Sequence, residues 1–115
     1  MPRDLTLCVE LATAAGERAD FVHMPADRNS GRDPRYYEPL RDLRTSRLAL
    51  GVIDYEGDEQ RTRELIQAAT DGSGGRQFAV ATECGMARID ERQGSEAPSL
   101  ERLLELHALC AAPIR

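Results

Sequence analysis

The sequence predicts an α/β fold in which about three parallel strands are flanked by helices, and three observations carry that prediction. Helical and extended patterns alternate along the chain, with a helix at each end, which requires crossover connections and a parallel sheet. Two extended segments, Leu48 to Tyr55 and Phe78 to Ala81, are short and nearly continuously apolar, as strands covered on both faces are. Each extended segment turns polar at its carboxyl end: His23 on the first, Asp54 and Tyr55 on the second, Glu83 and Cys84 on the third.

Taken in order, Asp4 to Ala15 reads as a helix: Asp4 holds first-turn amides, Leu5, Cys8, Val9 and Ala12 share one face, and Gly16 stops it. Cys8 within that stripe is expected to be a small buried hydrophobe. Ala19 to Pro25 reads as a short strand, ended by a proline that cannot donate to a ladder. The following loop interleaves its arginines with Asp27, Asp33, Glu38 and Asp42, the pattern of a solvated surface. Tyr36 to Leu43 is expected to form one or two helical turns with Tyr37, Leu40 and Leu43 inward. After the second strand, Glu56 and Gly57 turn the chain and Asp58 caps a helix to about Thr70. Its buried face is Leu65, Ile66 and Ala69, with Glu59 and Arg63 paired across a turn. The glycine-rich segment 72–75 lacks the spacing of a phosphate loop and reads as a linker. Beyond the third strand lies a polar loop, Arg88 to Ala97. Pro98 then opens a last helix whose apolar stripe is Leu100, Leu103, Leu104, Leu106 and Cys110.

The chain of 115 residues suffices for a single domain, 1–115, and is too short for a complete eight-stranded α/β barrel of about 200 residues or more. Its net charge of −5 argues against nucleic acid or an anionic membrane surface as a partner. All fifteen basic residues are Arg, which we read as the codon usage of a GC-rich genome. Three cysteines, an odd number, with no secretory apolar region at the start, point to reduced thiols in a cytoplasm. His107 and Cys110 are three apart, but no second ligand pair stands at metal spacing near them.

In a parallel sheet the carboxyl ends of neighbouring strands lie along one rim, where α/β proteins bind ligands. That rim collects an imidazole, two carboxylates, a phenol and a thiol. Polar residues are also expected there simply because strand ends meet water. A thiol beside Glu83 is a better zinc ligand than free nucleophile, since the neighbouring carboxylate disfavours the thiolate unless a cation is present.

The stretch FAVATECGMAR resembles the last barrel strand of the cobalamin-independent methionine synthase family, which ends in Cys-Gly. LALGVIDYEGD resembles the strand before it, and RADFVHMP with YYEPLRDL the strand before that. The resemblance covers essentially the whole chain and the carboxyl-terminal third of a family member, within the methionine synthase and uroporphyrinogen decarboxylase-like barrels. It implies a partial (β/α) barrel equivalent to the last strands of a TIM barrel, a single incomplete domain. It also implies zinc-dependent methyl transfer to a small-molecule thiol. Cys84 matches the family's final zinc-ligand cysteine. The other ligands come, in that family, from a His-x-Cys strand and a Glu. The chain has no counterpart of the His-x-Cys pair, and reads His23-Met24-Pro25 where the Glu stands. The family's Asp-x-His reads Asp54-Tyr55-Glu56 here, without the proton-donating histidine.

The site expected on this basis is Cys84 and His23 for the metal, with Asp54 and Glu83 as catalytic residues. Three readings follow. The chain is a barrel portion inactive alone; or it becomes active as a homo-oligomer, or by pairing with a missing barrel half; or it is a non-catalytic module binding a small ligand at the rim.

Overall fold

The computed structural model describes residues 4–16, 20–44, 47–82 and 100–110. Helix α1 spans Thr6–Ala15, strand β1 Val22–Pro25, strand β2 Leu48–Ile53, helix α2 Glu59–Gly72, strand β3 Ala79–Thr82 and helix α3 Leu100–Cys110. Two 3-10 segments, Ser30–Arg32 and Pro34–Asp42, fill the connection between β1 and β2. The three strands form one parallel sheet in the order β1-β2-β3, so the α/β class and strand direction expected from the alternation are observed.

Local chemistry explains most boundaries. The Asp4 carboxylate accepts the Thr6 amide at 2.9 Å, and Gly16 ends α1 at a φ of 59°, which glycine adopts without a Cβ clash. At the start of α2, Asp58 accepts the Arg61 amide at 3.0 Å, satisfying one of the donors a helix start leaves free. Glu59 and Arg63 pair at 3.1 Å as their spacing predicts. The segment expected to make one or two helical turns is a longer 3-10 run, Pro34–Asp42. Pro34 opens it, Asp33 accepts the Arg35 amide, and Pro39 inside it has no N–H to give an α-helical bond.

β2 is the centre of the molecule, with all six residues buried. Leu48, Leu50 and Val52 join Met24 of β1, Val9 and Ala12 of α1, Tyr37 and Leu40 of the 3-10 run, and Leu65 and Ala69 of α2 in the main core. Burying a leucine in such a cluster is worth about 1.5–3 kcal/mol. On the alternate residues the sheet carries small groups: His23 is level with Ala49, Pro25 with Gly51, and Ala49 with Ala79. A second cluster joins Ile53 to Leu103, Leu106 and Cys110, with Ile66 and Val80 at its border, so α3 packs beside α2 over the β2–β3 end.

Several expectations about burial are corrected: Cys8 and Ile66 are half-buried rather than buried. β3 is only part-buried: Ala79 is exposed, Val80 and Ala81 are intermediate, and Thr82 alone is buried. It pairs on one side only among the described residues, so its other edge has no ladder partner among them. In α3, Leu103, Leu106 and Cys110 face the core, whereas Leu100 and Leu104 project outward, 46% and 49% exposed. The helix meets the rest of the molecule along one narrow face rather than the broad stripe its composition suggested. Leu7 and Leu11 of α1 are exposed in the same way, at 58% and 63%.

Arginine side chains tie segments far apart in sequence to one another through backbone carbonyls. Arg41 donates to the Gly72 carbonyl at 2.9 Å, Arg76 to Leu43 at 2.8 Å, Arg61 to Arg28 at 2.7 Å and Arg102 to Gly57 at 3.2 Å. These are loop and helix-end oxygens without a ladder partner, and a charged donor makes the stronger kind of hydrogen bond to them. Gly72 sits where α2 passes the 3-10 run, and a Cβ there would collide with the Pro34 carbonyl oxygen. No helix among the described residues is long and apolar enough to cross a membrane.

Candidate functional site

The carboxyl ends of β2 and β3 finish level with one another, because Ile53 pairs with Thr82 after an irregularity that begins at Leu50. The residues that follow in sequence are Asp54 after β2, and Glu83 and Cys84 after β3. Glu83 and Cys84, expected as a catalytic residue and a metal ligand, lie outside the described residues.

His23 does not stand at the end of its strand. It is the second residue of β1, level with Ala49, and its side chain is exposed. Its ring nevertheless reaches across the sheet, past β2, to the far end of β3, where Nε2 lies 3.2 Å from the Thr82 carbonyl oxygen. The small residues Ala49 and Gly51 on that face of β2 leave room for the crossing. A carbonyl only accepts, so Nε2 is the donor in this contact and Nδ1 is the ring nitrogen it does not use. This is the arrangement found in metal-binding histidines, whose second nitrogen is fixed by a backbone carbonyl or carboxylate.

Asp54 is buried, 1% exposed, at the end of β2. Arg28, in the loop after β1, meets it with both edges of a fork: Nε donates to Oδ1 at 2.8 Å and Nη2 to Oδ2 at 3.2 Å. The Asp58 amide also donates to Oδ2 at 3.2 Å, and the Asp54 amide donates to Thr62 Oγ1 at 2.9 Å. The carboxylate thus ties the β1 loop, the β2 end and the start of α2 together. Arg28 further bridges Glu56 at 3.1 Å and lies 5.5 Å from the Tyr55 ring centre, a cation–π contact. Its hydrogen bond to Asp54 pushes the guanidinium above its ordinary range, so it is a fixed positive charge. Arg61 clamps the same loop through the Arg28 carbonyl and Asn29 Oδ1, at 2.7 and 2.9 Å.

Arg28 is the residue that reading the sequence missed. Its loop alternates charges and was expected to be solvated, yet this arginine is drawn into a buried pair. A signal was present: an aspartate ending a fully apolar strand needs a cation or several donors. Arg28 is the first cation beyond Pro25 on the neighbouring strand.

As a metal site the described residues are incomplete. Among them no three His, Cys, Asp or Glu side chains are close enough to hold an ion. Both Asp54 oxygens are engaged by Arg28. The alternative pair His107 and Cys110 is used otherwise: His107 Nδ1 donates to the Leu103 carbonyl one turn back, at 2.7 Å, and Cys110 is buried in the second core. Burial pushes the Cys8 and Cys110 thiols up, keeping both protonated as packing groups. No protein-family model, curated protein or solved structure matches this chain.

Proposed function

We propose that the chain is the carboxyl-terminal portion of a methionine synthase-like, zinc-dependent thiol methyltransferase barrel, and that it does not transfer methyl groups by itself. The observation that supports this reading is the reach of His23 across the sheet to the last residue of β3, directly before Glu83 and Cys84 in sequence. Parallel strands in chain order, as consecutive barrel strands have, agree with it. In this reading His23 and Cys84 are two ligands of a set that normally needs about three from the protein. The metal, when bound, would hold the substrate thiol as thiolate. Asp54 would fix the geometry of the mouth through Arg28, and Glu83 would supply the second carboxylate. β1 and β3 each pair on one side only among the described residues, so the reading includes further strands, from a second copy or from a missing barrel half.

Metal titration tests the proposal. The purified chain should retain well under one zinc per chain after dialysis, and take up cobalt(II) weakly with a thiolate absorption band. Cys84→Ser should abolish that band, and His23→Ala should weaken uptake. Tight, stoichiometric zinc in the lone chain would overturn the incomplete-site reading in favour of a complete oligomeric enzyme. A cobalt spectrum indifferent to Cys84→Ser would remove zinc from the function.

A further inference from the structure

We draw no further inference here: the strongest candidate, the outward leucine pair Leu7 and Leu11 on α1, is an unpartnered apolar face, and nothing in the structure shows what covers it.

Discussion

Replacing Arg28 by alanine should cost more stability than replacing its partner Asp54, although the two share the same pair of hydrogen bonds. The reason is unequal burial. The Asp54 side chain has no exposure at all, while that of Arg28 is 21% exposed and keeps Glu56 at 3.1 Å as a second partner. Arg28→Ala leaves a carboxylate in the interior with the Asp58 amide as its remaining charge-stabilising donor. Stranding a buried charge costs about 3–5 kcal/mol, and partial access of water through the vacated arginine channel puts the expected loss near the lower end, about 3 kcal/mol. Asp54→Ala leaves a cation that can turn to Glu56 and water, for a loss of about 2 kcal/mol. The double variant should lose less than Arg28→Ala alone, about 2 kcal/mol, since removing the aspartate also removes the stranded charge. That non-additivity, about 3 kcal/mol, is the coupling of the pair. Urea unfolding followed by circular dichroism reads all four proteins, with unchanged slopes required for the comparison. The larger single loss corresponds to a fall in melting temperature of about 12 °C. Additive losses, or a costlier Asp54→Ala, would refute the assignment of Asp54 as the buried, dependent member.

Gly72→Ala should destabilise by about 3 kcal/mol or more, because the added methyl meets the Pro34 backbone oxygen rather than a movable side chain; equal midpoints in urea would contradict that contact. The Asp27 carboxyl is held below its ordinary range first by the Ser30 amide, at 2.7 Å, and also by the Asn29 amide. A depressed carboxyl stabilises above its unfolded value and loses that contribution as pH falls through the folded one. Wild-type stability should therefore decline below about pH 4 more steeply than that of Asp27→Asn, as measured by urea midpoints from pH 6 to 2.5; identical acid limbs would sink the idea. Leu11→Glu, at a position 63% exposed, should leave monomer unfolding within about 0.5 kcal/mol of wild type, and a larger loss would mean that the face is packed.

How much of this was legible in the residues depended on whether the cause was local. β2 announced itself because six consecutive apolar or small residues fit a strand covered on both faces. The start of α2 did so because Asp58 stands where a capping carboxylate must. The stop at Gly16 and the Glu59–Arg63 pair are likewise set within a few residues. What escaped was set at a distance. The Arg28–Asp54 pair spans 26 residues, and its signal lies in the apolar strand that Asp54 ends, not in the charges around Arg28. His23 was expected at a strand end and instead reaches the rim with its side chain, which depends on the register between strands and on the small residues beside it. The outward turn of Leu100 and Leu104 depends on how narrow a strip of sheet α3 meets, a property no helical periodicity contains.

The four carbonyl-seeking arginines have a practical consequence. With no lysine side chain anywhere in the chain, amine-directed labels and cross-linkers find no foothold on its surface residues, whereas dicarbonyl reagents address the very groups that bind Gly72, Leu43, Arg28 and Gly57. All fifteen basic side chains, the fasteners among them, thus share a single chemistry. Guanidine-selective modification would therefore loosen the loops before it touched the hydrophobic interior.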